Sequence, residues 1–266
     1  MMNQIKKKSI TIFVMLFIAT LFFTSCQYED FIPTGNGGGI HNGNGGNGNG
    51  TDCTLFNPSE TVSAEEIDLL KYMREEEKLA RDVYLEMFEL YGAPIFKNIP
   101  KSEQKHMDKI LCLLDFYGIE DPASAENGVF LNPDLQALYD GLILQGSTSL
   151  VDALTVGATI EDVDIFDLEE YVQQTDNPAI IQVFESLTCG SRNHMRAFVG
   201  QLTANGADYS AQFIPSTELD DILAATHESC GNGNGGGNGN GNGNGNGNGN
   251  GNGSGNGGGH GHGHGG

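Results

Sequence analysis

Four long stretches of this chain repeat apolar residues at steps of three and four, and each interrupts its stripe near the middle with an acid or a histidine. From Ser63 to Tyr91 there is no Pro or Gly, and the spacing predicts one helix, ended by Gly92 and Pro94. A second helix is predicted from Pro100 to Tyr117, stopped by Gly118 and the Asp121-Pro122 pair. A long connection follows, with a short helical piece near Pro133–Gln145. A third helix reads from Ser147 to about Thr175, with Ser147 or Ser149 as its cap. "DNP" breaks it, and a fourth runs from Pro178, well placed as a first helical residue, to about Asn205. No stretch offers strand alternation. Two helical hairpins joined by one long crossover make an all-α four-helix bundle, with a short extra helix in the crossover.

Helical spacing decides which residues face inward. The second helix lines up Ile99, Glu103, His106, Ile110, Leu113 and Tyr117, and the fourth Phe184, Leu187, Ser191, His194, Phe198 and Leu202. The third gives Leu150, Leu154, Gly157, Glu161, Asp164 and Leu168; the first gives Leu70, Met73, Glu77, Ala80 and Tyr84. Burying one carboxylate is costly, and burying several together is worse unless they share a cation. A metal ion would account for all four interruptions at once.

Glu103 and His106, three apart on one helix face, can supply two ligands to one site. Glu77 and Glu161 would add oxygens and His194 a second nitrogen. Carboxylates with imidazole suit iron or manganese, with zinc as the competitor. The bland alternative for Glu103 and His106 is a core histidine satisfied by its neighbour, and Ser191 could similarly satisfy His194. Glu76 is a rival for Glu77. Asp164 is either a substitute ligand or a solvated edge residue, and Tyr84 either a hydrogen bonder behind the site or a plain core tyrosine. Cys112 and Cys189 fall off the ligand-bearing lines, and His227 reads as a surface residue.

The motifs "EEEKLARDVYLEMF", "NIPKSEQKHMD", "GATIEDVDIFDLEE" and "GSRNHMRAF", in that order over about 63–205, resemble the DUF2202 group of bacterial and archaeal proteins, regarded as ferritin-like. More distantly, "EKLARDVY" is similar to the first-helix motif of rubrerythrins. That resemblance implies iron ligation by Glu77, by Glu103 with His106, and by Glu161 with Asp164. The second Glu-x-x-His of rubrerythrins falls on Ser191 and His194, so one carboxylate is absent, and no rubredoxin-like Cys pairs are present. The implied cofactor is iron, in a dinuclear centre or as a single ion, with manganese or zinc as alternatives. The implied ferritin-like bundle occupies 63–205, followed by an extension over 206–230.

The remaining segments suggest an address. Residues 1–25 have a basic start, an apolar run from Ile10 to Phe23 and small residues before Cys26, and the "FTSC" box resembles that of bacterial lipoproteins. The expectation is a lipidated Cys26 and a chain anchored to the bacterial outer membrane or cell surface, with an uncleaved anchor helix as the alternative. The segments 26–62 and 231–266, dominated by Gly and Asn, have little apolar area to offset ordering and are predicted to be disordered. The second ends in His260, His262 and His264, a tract able to capture metal loosely. An envelope location permits disulfides, and Cys53 and Cys230, which bracket the folded region, are the suggested pair. The formal net charge of −22, with no basic patch, argues against nucleic acid as a partner.

Together these features imply an envelope-tethered, ferritin-like metal-binding protein. The accompanying chemistry would be iron- or manganese-dependent oxidation with peroxide or oxygen, or oxidation of ferrous iron. The alternatives are a non-catalytic lipoprotein that sequesters or delivers metal, and a structural helical domain with a decayed site. Sequence alone does not set the oligomeric state.

Overall fold

The computed structural model describes residues 61–230. The leader with Cys26, Cys53 and the three tail histidines lie outside the described residues. Among those described there are seven helices and no strand. They are α1 (Ala64–Tyr91), α2 (Pro94–Asn98), α3 (Pro100–Tyr117), α4 (Pro133–Gly146), α5 (Leu150–Val172), α6 (Pro178–Ala204) and α7 (Ser216–Ala224). No described helix is long and apolar enough to cross a membrane.

Local chemistry sets the ends of the long helices. Ser63 and Glu66 form a reciprocal capping box at the start of α1: Glu66 N–H donates to Ser63 Oγ, and Ser63 N–H to Glu66 Oε2. Gly92 closes the same helix at φ 60°, a left-handed conformation that glycine adopts without steric cost. Ser149, rather than Ser147, caps α5 by accepting from Asp152 N–H. Asn177 caps α6, with Pro178 as its first residue.

The packing is that of a four-helix bundle. Helix α1 lies chiefly along α3 and α5 along α6, and the ring closes through contacts of α1 with α5 and of α3 with α6. The crossover helix α4 packs on α1 and α5. Leu70, Met73, Ile110, Leu113, Leu187 and Leu202 are fully buried where the stripes meet, each worth about 1.5–3 kcal/mol in apolar transfer. At one end of the bundle Tyr84, Phe96 and Phe198 pack together, with ring centroids 5.1–6.2 Å apart. Near the other, Tyr72 meets Tyr171 edge-on at 6.3 Å.

Not every buried polar group serves the centre of the bundle. Lys78 is fully buried, pairs with Asp82 at 2.5 Å and donates to the carbonyls of Glu126 and Val129. Glu75 accepts from Leu131 N–H, and Arg74 pairs with Asp121. The outer face of α1 thus pins the crossover loop by satisfying its backbone, as buried polar groups must be. Asp162 does the same for the C-terminal extension, accepting from Tyr209 OH and from the N–H groups of Gln212 and Ile214.

The suggested Cys53–Cys230 disulfide is not formed. Cys230 is bonded to Cys189, with Cα atoms 5.6 Å apart. The extension folds back over α6, where Glu228 is gripped by Arg192 and Arg196 and exchanges hydrogen bonds with Asn193. That docking brings Cys230 against the α6 surface, a placement that cysteine spacing alone does not reveal.

Candidate metal centre

Glu77 from α1, Glu103 and His106 from α3, Glu161 from α5 and His194 from α6 converge at mid-bundle, and all are buried. Glu103 joins the two halves. Its Oε2 lies 2.9 Å from His106 Nδ1, and its Oε1 2.9 Å from His194 Nδ1. Glu77 Oε2 is 3.2 Å from the same nitrogen of His106, and Glu161 Oε2 is 3.4 Å from that of His194. The imidazoles stack with centroids 5.6 Å apart. Two sets of potential ligands result, Glu77–Glu103–His106 and Glu103–Glu161–His194, each with its donor atoms within 4.8 Å of one another.

Supporting residues fix this arrangement. Tyr84 OH donates to Glu161 Oε1 at 2.5 Å, so this tyrosine is both core and positioning residue. Gly190 lets α6 approach α3, since a Cβ there would fall 2.4 Å from His106 Nε2. Asp164 is buried and is no solvated edge residue; Ser191 Oγ donates to its Oδ2 at 2.5 Å. Ser191 therefore serves Asp164 rather than His194, and the carboxylate missing from α6 has its nearest counterpart on α5. Glu76 is buried too, with Oε2 unpartnered, but belongs to neither ligand set. Cys189 is held in its disulfide, Cys112 is also disulfide-bonded, and neither belongs to the ligand sets.

The electrostatics show what the site demands. Burial tends to raise the Glu103 carboxyl, but the flanking His194 and His106 outweigh it and hold it at about 2. Burial opposes charge on His106, yet Glu77 and Glu103 carry it to about 10; His194 is driven well above its ordinary value by Glu103 and Glu161 against the same desolvation. Glu161 is pushed up to about 7, and Glu77 and Asp164 are also raised, in each case first by burial. Without metal, protons on the imidazoles serve as the cations of an anionic cage.

The donor set fits a metal ion. Glu77 Oε1, Glu103 Oε1 and His194 Nδ1 are buried without hydrogen-bond partners, and the last two lie 2.9 Å apart without alignment for a hydrogen bond. Buried polar atoms without hydrogen bonds are costly, and with the imidazoles deprotonated a shared cation would satisfy all three.

The site opens to the surface through a cavity of about 690 Å³ whose wall includes His106, His194 and Gly190. His227, exposed as its sequence context indicated, stands on its rim.

Fold and site define an all-helical bundle with a buried carboxylate–imidazole cluster capable of holding metal. Residues 66–226 match the family described as "Uncharacterized protein domain (DUF2202)", and the chain belongs to it. It is similar to the protein MJ0754 of Methanocaldococcus jannaschii, described as uncharacterized, at 50% identity over 172 residues, or 64% of this chain and 93% of the relative. The crystal structure of that hypothetical protein superposes with a TM-score of 0.64 at 49% identity, covering 65% of this chain and 99% of the other.

Proposed function

We propose that this is a ferritin-like metal-binding protein whose centre holds iron or manganese, in one or two positions joined by Glu103. The observation that carries the reading is the pair of ligand sets sharing that carboxylate, with unpartnered donor atoms in the middle. When bound, the metal would supply one-electron chemistry toward peroxide, oxygen or ferrous iron. The chain's own residues do the rest. Glu103 and Glu77 hold His106 by one nitrogen, Tyr84 orients Glu161, and Ser191 keeps Asp164 beside the cage. The aromatic cluster of Tyr84, Phe96 and Phe198 excludes water from one side.

The leader through Cys26 supports a lipid tether to the outer membrane or cell surface, with the Gly- and Asn-rich segment as spacer. Labelling of cells with a radioactive fatty acid, lost in Cys26→Ser, tests that tether. Storage or delivery of metal without turnover is the second reading; what favours it is Ser191 on α6, where the rubrerythrin-like pattern has a carboxylate three residues before His194.

Elemental analysis separates these readings. The full chain carrying His260→Asn, His262→Asn and His264→Asn should retain iron or manganese after anaerobic loading and dialysis, and peroxide should then change its spectrum. Retained metal with no spectral response supports storage. No retained metal ends both readings.

A further inference from the structure

The chain's net charge is −22, yet the cavity reaching the centre has the opposite character. Helix α3 turns Ser102, Lys105 and Lys109 toward it on the same face as His106. The sole carboxylate in its wall is Glu228, taken by Arg192 Nη2 and Arg196 Nη2 at 2.6 Å each. The two lysines have no such neutralisation. Lys109 is half-buried and donates to Ser186 Oγ at 2.6 Å, and neither lysine pairs with a carboxylate among the described residues. They stand one helical turn apart, a like-charge placement that destabilises a helix unless something shares the charge. Burial lowers the Lys109 ammonium, Glu77 partly offsets this, and repulsion from Lys105 adds to it. Exposed Lys105 and half-buried Lys109 line the wall of one cavity, a pairing of ammonium groups that a single anion can bridge.

We propose that this cavity is an oxyanion subsite, taking a small molecule with a carboxylate or phosphate group held by Lys105 and Lys109 and its other end directed at His106 and His194. The size agrees, since about 690 Å³ is far more than oxygen or peroxide needs and lies within the range of small-molecule pockets. The two lysines in its wall attract anions. Anion binding requires only the lysines and the cavity, whereas its relevance to chemistry rests on the metal-centre reading above.

The test uses the full chain stripped of metal with a chelator, with inorganic phosphate and acetate as separate probes. Ring-proton signals of His106 and His194 are followed by nuclear magnetic resonance. Saturable shifts are expected with at least one probe, weakened by about tenfold or more in the double variant Lys105→Gln/Lys109→Gln and unchanged in Lys97→Gln, an exposed lysine outside the cavity. A stronger response to phosphate assigns a phosphate-bearing ligand, and one to acetate a carboxylate. No saturable response to either probe overturns the proposal, as does equal binding by the double variant or equal loss in Lys97→Gln. Metal retention by the double variant, measured in parallel, keeps the two readings apart: anion binding without metal retention removes only the metal centre.

Discussion

Glu103 stands between two histidines, presenting one carboxylate oxygen to His106 Nδ1 and the other to His194 Nδ1, each at 2.9 Å. This side chain links the α1–α3 hairpin to the α5–α6 hairpin at the point where the interior is most charged. Replacing it removes a shared ligand, whereas replacing Glu77 removes a ligand from one set.

Glu103→Gln is therefore expected to weaken metal retention at least about tenfold and to abolish any second equivalent. Glu77→Gln should leave the Glu103–Glu161–His194 set able to bind. Metal content after equilibrium dialysis against graded chelator distinguishes them. Equal retention by Glu103→Gln and the parent chain would show that the carboxylate bridges only protonated histidines.

Gly190 carries a steric prediction. A methyl group there would lie 2.4 Å from His106 Nε2, in a packed interior where overfilling costs about 1–3 kcal/mol. Gly190→Ala should lower unfolding stability by that amount and displace the imidazole, with loss of metal retention. Urea denaturation and elemental analysis of one preparation check both halves.

Tyr84→Phe keeps the ring between Phe96 and Phe198 but deletes the hydroxyl on Glu161. Stability should fall by about 1–2 kcal/mol, while metal affinity weakens about 10-fold or more through the freed carboxylate. A merely structural tyrosine would move the first readout alone.

The pH dependence follows from the sign of each shift. Glu103, held at about 2 against 4.5, contributes stability that is present above 4.5 and lost as pH falls through about 2. His106, raised from 6.5 to about 10, contributes stability that is present below 6.5 and lost as pH rises through about 10. Glu161, raised from 4.5 to about 7, adds a loss over that interval. Metal-free protein should accordingly melt highest near pH 5 and decline toward pH 9. Bound metal, competing with the same protons, should move the optimum upward. Thermal melts with and without metal across this range decide it; a metal-free optimum near pH 9 would contradict the assigned charges.

Much of this was legible in the stripes because Pro and Gly punctuate the long helices. Helix α3 begins at Pro100 and ends at Tyr117 as its pattern predicts, with Gly118 in a left-handed cap. The five residues that converge are those that helical spacing brings into register. Helices α2 and α7 went unseen because they are short and take their stability from packing rather than from a periodic stripe. Lys78, Asp82 and Asp162 were invisible as structural groups because their partners are backbone atoms of distant loops. For Asp164 the stripe left substitute ligand and solvated edge open, because its burial and its hydrogen bond from Ser191 of the neighbouring helix are set by packing between helices.

The C-terminal strap separates a covalent from an electrostatic attachment. The Cys189–Cys230 bond closes a loop of 41 residues, and in the chain-entropy picture its removal costs roughly 3–4 kcal/mol. Glu228 remains clamped by Arg192, Arg196 and Asn193 in its absence. Cys189→Ser/Cys230→Ser should therefore lose global stability while keeping the strap docked and metal retention unchanged. Adding Glu228→Gln weakens the clamp on both arginines and should raise amide exchange at 226–230 above that of the double cysteine variant. If the cysteine variant already exchanges there as fast as the triple variant, the disulfide alone holds the cavity wall in place.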